Sequence, residues 1–133
     1  MVFLQPQFRF VRPKDIDRII SAEIPDRDRE PELFNIAMSL MIRGPCGPQN
    51  EGSPCMQKGK CTKYFPKNFV DSTAIDAEGY PVYRRRDNGV SIQKGNSFVD
   101  NRYVVPYNKS LLLKYNAHIN VEWCNQSRSI KYL

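Results

Sequence analysis

The apolar positions change period along the chain, and each change predicts a different element. Ile16, Ile19, Ile20 and Ile24 recur at spacings of three, one and four, which lines one face of a helix over 13–24. Pro13 suits its first turn, Asp15 and Asp17 suit its positive end, and Pro25 stops it. Pro31 opens a second helix, in which Leu33, Phe34, Ala37, Met38, Met41 and Ile42 form a wide apolar stripe ended by Gly44-Pro45. Both stripes are the kind that packs a core.

Between 43 and 69 the periodicity disappears. Gly, Pro, Asn and Ser dominate, and three of the four cysteines lie there. From Ser72 onward the pattern turns to strands. Residues 80–86 and 90–94 flank Asn88-Gly89, a strong hairpin signal. Lys94-Gly95-Asn96 reads as a second turn, and a third strand is expected over 98–105, closed by Pro106. Residues 111–115 are short, apolar and ambiguous. Ala117, Ile119, Val121 and Trp123 alternate with His118, Asn120, Glu122 and Cys124, the mark of a half-buried strand. Residues 125–127 offer a helix cap, and 128–133 begin a helix about one and a half turns long, too short to stand alone. At the other end, residues 2–5 read as the end of a strand closed by Pro6. The expectation is one partial α+β domain over 1–133. Its parts are a strand end and two helices (1–42), a Cys-rich loop (43–69), and antiparallel strands with the start of a helix (70–133). Both ends look cut through structure, as in an internal piece of a larger protein.

Charge sharpens this picture. The chain carries a net +6 at pH 7. Residues 1–32 hold six basic and seven acidic residues, whereas 33–133 hold fourteen basic and seven acidic. The positive field belongs to the later three-quarters, and such a surface attracts polyanions through counterion release. A solvated basic surface that only aids solubility is the plain alternative. No run approaches the roughly 18 apolar residues of a membrane span, and no basic region precedes the apolar start as in a signal peptide. A phosphate loop of the Gly-x-x-x-x-Gly-Lys-Ser/Thr type is missing, which excludes an ATPase within these residues. His118 is the one histidine, so a catalytic His pair is excluded too.

Three groups of residues carry candidate chemistry. Cys46, Cys55 and Cys61 form a Cys-x8-Cys-x5-Cys spacing in the aperiodic loop. Thiolates bind zinc, and zinc orders loops that lack a core. Three donors are one short of a closed site; Cys124 and His118 are the distant candidates for a fourth, and plain reduced cysteines or redox chemistry are the alternatives. Arg84, Arg85 and Arg86, flanked by Tyr80 and Tyr83, suit phosphate contacts beside stacking aromatics, with Arg128 a further cation. A charged edge that blocks strand-to-strand aggregation is the alternative there. Tyr132 beside Lys131 has the chemistry to attack a phosphodiester, the lysine contacting the phosphate, although a tyrosine in such a helix is usually core.

Several blocks then resemble one family. They are Asp15-Ile-Asp-Arg-Ile-Ile-Ser-Ala-Glu-Ile-Pro-Asp26, Gly44-Pro-Cys-Gly47, Gly79-Tyr-Pro-Val-Tyr-Arg-Arg-Arg86, Val104-Val-Pro-Tyr-Asn108, and the run from Leu113 through Ala117-His-Ile-Asn-Val-Glu-Trp-Cys124 to Ser129-Ile-Lys-Tyr132. In order and over nearly the whole chain, they resemble the plant Helitron replicase-helicase of rolling-circle DNA transposons. The resemblance implies a nuclease domain with a His-hydrophobic-His metal motif and two nucleophilic tyrosines, fused in cis to a downstream helicase. The His pair would immediately precede the segment like Val2-Phe-Leu4, Tyr132 would take the first nucleophile position, and the second would lie one helical turn beyond. Catalytic Mg or Mn belongs to the full-length domain. In the cysteine stretch the family often has histidine where this chain has Arg43, which removes the expected fourth ligand. His118 and Glu122 match the pattern without an assigned role.

The expectation is therefore an incomplete nuclease-type domain that, in the full protein, nicks and joins single-stranded DNA in the nucleus, and is inactive alone. Two alternatives stay open: a non-catalytic zinc-ordered DNA-binding module, and a transposon remnant without function.

Overall fold

A computed structural model describes residues 12–47 and 50–124. The expected strand end at 2–5 and the expected helix at 128–133 lie outside the described residues. Those described form a small α+β fold with three α-helices, three two-stranded antiparallel sheets and a Cys-bearing loop.

Helix α1 spans Pro13–Ile19. It opens where the Arg12 backbone N–H donates to the Asp15 carboxylate at 3.1 Å, and that bond holds the Asp15 carboxyl below its ordinary range. The helix stops short of the expected end at 24. Ser21 leaves it to exchange two backbone bonds of 2.9 Å with Tyr107. The isoleucine stripe is thereby divided: Ile16 and Ile20 bury in one cluster, and Ile24 buries in another.

Helix α2 spans Pro31–Leu40 and buries Leu33, Phe34 and Ala37 of its stripe, but it ends before Met41 and Ile42, where Ile42 bridges Val104, and short of the expected stop at Gly44-Pro45. The ambiguous segment becomes helix α3, Lys109–Tyr115. The Asn108 side chain accepts the Leu111 N–H at 3.0 Å, and Asn116 ends the helix in the left-handed conformation. Helix α3 packs against α2, so a local cap and a tertiary partner together settle what five apolar-rich residues left open.

The strands are shorter than expected. They are β1 (Met56–Gln57), β2 (Lys60–Cys61), β3 (Ala74–Ile75), β4 (Pro81–Val82), β5 (Ile92–Lys94) and β6 (Ser97–Val99), paired in sequence order. The hairpin expected around Asn88-Gly89 does not form. Backbone groups of 84–86 are already engaged: Arg85 exchanges 2.8 Å bonds with Val70, Arg84 N–H reaches Thr73 Oγ1, and Arg86 N–H reaches Glu23. Asn88 instead accepts from Val90 N–H within its own turn, and residues 92–94 pair with 97–99 around Gly95. The strand expected over 98–105 is broken by Asp100, whose carboxylate accepts Arg102 N–H and starts the 3-10 turn Asn101–Tyr103. Residues 119–124 keep the expected alternation, with Val121 and Trp123 buried and Glu122 exposed, while Ala117 is exposed like His118; the segment joins no ladder. Their N–H groups bond Pro106 O and Tyr83 Oη instead.

The segment 101–107 is the centre of the molecule. Tyr103 and Tyr107 are fully buried. Met41 O and Tyr103 O accept from Val105 and Arg43 N–H, both at 2.8 Å. Asn101 accepts Ile24 N–H and donates to Arg86 O, both at 2.8 Å. Glu23, 7% exposed, closes the same region. It takes three bonds from Arg86: N–H and Nε to Oε2 (2.8 and 2.9 Å) and Nη2 to Oε1 (2.8 Å). Burial opposes the charge on Glu23, yet the Arg86 bonds prevail and hold the carboxyl below its ordinary value of 4.5.

A lowered carboxyl pKa contributes stability that is present above the unfolded value and lost as pH falls through the folded one. Thermal melts from pH 7 to 3 should therefore show Tm falling below about pH 4.5. Glu23→Gln should flatten that part of the profile and cost about 2 kcal/mol at pH 7, discounted because Arg86 is half exposed. An unchanged acid slope in the variant would remove Glu23 as its source.

Candidate metal centre

Local backbone rules bring the three loop cysteines together. Cys46 follows Gly44, whose φ is +98°. A side chain at Gly44 would put its Cβ 2.8 Å from Cys46 N and 3.0 Å from the Tyr103 ring, so only glycine lets the chain turn so close to the core. Gly47 has φ +74°, and a Cβ there would meet Pro66 Cδ at 2.7 Å. The other two thiols flank the β1–β2 hairpin. Its turn is Lys58-Gly59, both at positive φ (53° and 77°), the conformation whose twist suits a two-residue loop. Thr62 N–H then donates to Cys55 O at 2.7 Å and locks the two thiols on one side.

The outcome is a group in which the Sγ atoms of Cys46, Cys55 and Cys61 all lie within 4.8 Å of one another. Cys55 and Cys61 Sγ stand 3.5 Å apart. All three are reduced, as is Cys124. Cys46 and Cys61 are buried and Cys55 half-buried. In a tetrahedral zinc–thiolate site, sulfurs at about 2.3 Å from the metal sit about 3.8 Å from each other. The cluster is close to that arrangement already, so the three residues fit a thiophilic metal ion. Of the distant donors named from sequence, neither joins the group: His118 Nδ1 lies 2.7 Å from Leu40 O, and Cys124 stands apart from it.

The thiols differ in acidity. Burial, reinforced by Cys61 and Cys55, pushes the Cys46 thiol up to about 12. Burial also opposes charge on Cys61, but the backbone at Phe65 and Lys63 and the two neighbouring thiols outweigh it and bring Cys61 down to about 6. Lys63 N–H donates to Cys61 Sγ at 3.4 Å. One sulfur is thus a thiolate near neutral pH, the form in which cysteine takes a metal.

The arginine run is placed differently from the expectation of a phosphate-binding edge. Arg85 is 4% exposed, and its Nη1 donates to Asn101 O and Val104 O at 2.8 and 2.7 Å. Arg84 and Arg86 both face the Glu23 carboxylate, at 3.4 and 2.8 Å. Tyr83 is buried, and its Oη accepts Trp123 N–H at 2.7 Å. Burial pushes that hydroxyl up. Tyr83 and Arg85 hold the fold together with internal partners, whereas the Arg84 and Arg86 side chains stay 36% and 51% exposed beside Glu23. Arg128, Lys131 and Tyr132 lie outside the described residues.

Sequence reasoning passed over Glu23 and Asn101, whose partners are 63 and 77 residues away. No local signal marks them. It also passed over Lys63, Tyr64 and Lys67, although Lys63-Tyr-Phe-Pro-Lys67 interleaves cations with aromatics and could have been singled out. Among the described residues, no helix is long and apolar enough to cross a membrane. Neither a family model nor a curated protein matches this chain.

Proposed function

We propose that this chain is the connecting body of a replicase domain of the Helitron type, which in the whole protein nicks and joins single-stranded DNA during rolling-circle transposition. The observation that carries this reading is the meeting of Cys46, Cys55 and Cys61 within 4.8 Å, in the stretch where the sequence resembles that family. Zinc on these thiolates would order a loop that has little core of its own. With Arg43 where the family often has histidine, the fourth coordination position falls to solvent or another donor. The net +7 over 33–133 draws the phosphate backbone of the strand. Tyr132 keeps the nucleophile position and Lys131 a phosphate contact. The Mg or Mn that polarises the phosphate needs a histidine pair, and this chain has one histidine. The helicase in cis and the nuclear location belong to the same reading.

The test is a titration of labelled single-stranded DNA with the chain, in the presence of Mg or Mn. Salt-dependent binding without cleavage is expected. Absence of binding would sink the reading. A covalent protein–DNA product, lost in Tyr132→Phe, would show that the chain cleaves by itself.

The thiol group alone also favours a second reading, a non-catalytic DNA-binding module ordered by zinc. The coding sequence on either side separates the two. A His-x-His codon run upstream and a second tyrosine codon downstream mark the replicase; a frame without them leaves the module.

A further inference from the structure

We propose that a cleft of about 770 Å³ against Phe65 is where this chain holds single-stranded DNA, one base stacking on Tyr64 and the adjoining phosphate resting on Lys63, Lys67 and Arg43. The proposal rests on the DNA-binding reading above and says where the strand lies.

The cleft gathers cations that the rest of the fold does not neutralise. Arg43, Lys63, Lys67 and Arg85 line it, with Glu122 as the one carboxylate of its wall. Among the described residues none of these four cations forms an ion pair, in contrast to Arg84 and Arg86, which share Glu23. Three of them surround a single ring. Lys67 Nζ, the Arg43 guanidinium and the Arg85 guanidinium stand 5.0, 5.8 and 5.9 Å from the Phe65 centroid. The face of an aromatic ring tolerates such charges but does not cancel them. Burial first, and Arg85 second, draw the Lys67 amine below its ordinary value against the pull of Glu122 and Cys61.

Two further observations point to a ligand carrying oxygen acceptors and a flat face. Arg43 Nε is buried and has no hydrogen-bond partner among the described residues. A buried donor normally has an acceptor, and a phosphate oxygen in the cleft supplies one. Tyr64, on the rim, is 80% exposed. It sits at φ 62°, a conformation costly for an aromatic residue, and Lys67 Nζ lies 5.7 Å from its ring. An exposed ring beside unneutralised cations is the arrangement that stacks an unpaired base while holding its phosphate. Arg85 contributes field from the floor, since its hydrogen bonds are made within the protein. No cysteine lines the cleft, although it adjoins the thiol group through the backbone of Lys63 and Phe65.

Fluorescence anisotropy of the full chain with a labelled twelve-nucleotide oligo-dT tests the proposal. Tyr64→Ala should weaken binding about tenfold, as loss of one base stack does, with little change in salt dependence, and Tyr64→Phe should restore it. Lys63→Gln with Lys67→Gln should weaken binding and lower the slope of log affinity against log salt by about 1.4, the value for two phosphate contacts on a single strand. Lys58→Gln with Lys60→Gln removes the same charge from the exposed β1–β2 hairpin, outside the cleft, and should have a clearly smaller effect. Tyr64 is so exposed that its truncation leaves the fold intact, which a matching Tm confirms. Wild-type binding that Tyr64→Ala leaves unchanged overturns the proposal alone. So does equal loss in the hairpin control, or equal affinity for duplex DNA, whose paired bases cannot reach the ring. If the wild-type chain binds no single-stranded DNA, the parent reading fails and this one with it.

Discussion

Cys61→Ser should abolish metal binding and loosen the loop over 43–69. Metal analysis of the purified wild type is expected to give one zinc per chain, and the variant close to none. The effect is large because a metal site formed only in the folded state contributes its binding energy to folding, on the order of 10 kcal/mol for structural zinc in small peptides. The loop has little else to order it. Strands β1 and β2 are two residues each, and an isolated two-stranded hairpin is marginal in water. A chelator added to the wild type should lower Tm as the substitution does. Cys124→Ser should change neither zinc content nor Tm, since Cys124 lies outside the group. A wild type that carries no metal and melts identically with and without chelator would falsify the zinc assignment.

The pH dependence has a definite sign. Thiols must lose their protons to bind the metal, so lowering the pH weakens binding. Cys61, at about 6, enters largely as thiolate at pH 7. Cys46, pushed up to about 12, must lose its proton to solvent as the metal displaces it. Binding at pH 7 should therefore release protons, measurable as a buffer-dependent heat, and affinity should fall steeply toward pH 6. In the metal-free chain the lowered Cys61 pKa acts in the same direction: its stabilisation is present above the ordinary value of 9.0 and fades as pH falls through about 6.

Arg85→Ala is the second large effect expected, a loss of about 3 kcal/mol and a fall in Tm on the order of 10 °C. The guanidinium is buried, and burial draws it down to about 10 against the pull of Tyr83, Glu122 and Glu23. Its two bonds tie the strand-side backbone at 85 to Asn101 O and Val104 O in the central segment. It also covers the Phe65 ring from which the Cys loop hangs. Truncation leaves two carbonyls short of a donor and a void beside that ring. Arg85→Lys should recover only part of the loss, because an ammonium lacks the planar fork. Arg84→Ala should cost much less, since that side chain is partly solvated and leaves Glu23 bonded to Arg86. The measurement also separates two roles for Arg85. A structural tie lowers Tm; a phosphate contact would lower DNA affinity with Tm unchanged, and that outcome would return Arg85 to the role expected from sequence.

Helix α2 was legible from the chain because its information is local. One stripe of Leu33, Phe34 and Ala37 and a proline to open it suffice to place its start and its buried face, though not its end at Leu40. The cysteine loop was legible as a place where a hydrophobic pattern gives out and thiols take over. The alternation in 119–124 was legible as burial, since Val121 and Trp123 do point inward, but not as pairing, which depends on whether another backbone lies alongside.

The arginine run shows the limit most clearly. Three consecutive arginines between tyrosines read as a surface, because charge is expensive to bury. Tertiary structure reversed this for Arg85 by supplying two carbonyls from 101 and 104, while Arg84 and Arg86 stay partly exposed beside the carboxylate of position 23. The same long-range bonds engaged residues 84–86, so the hairpin expected at Asn88-Gly89 does not form, whereas the turn expected at 94–96 does.

The sequence by itself determined the α+β class, the helix α2, the aperiodic thiol loop and the positive charge of the later three-quarters, each a property of residues close together in the chain. Only the tertiary structure decided that three thiols meet within 4.8 Å, that Arg85 is interior, and that the unneutralised cations gather around Phe65. Those outcomes rest on contacts between residues far apart in sequence, where burial and hydrogen-bond satisfaction outweigh local pattern.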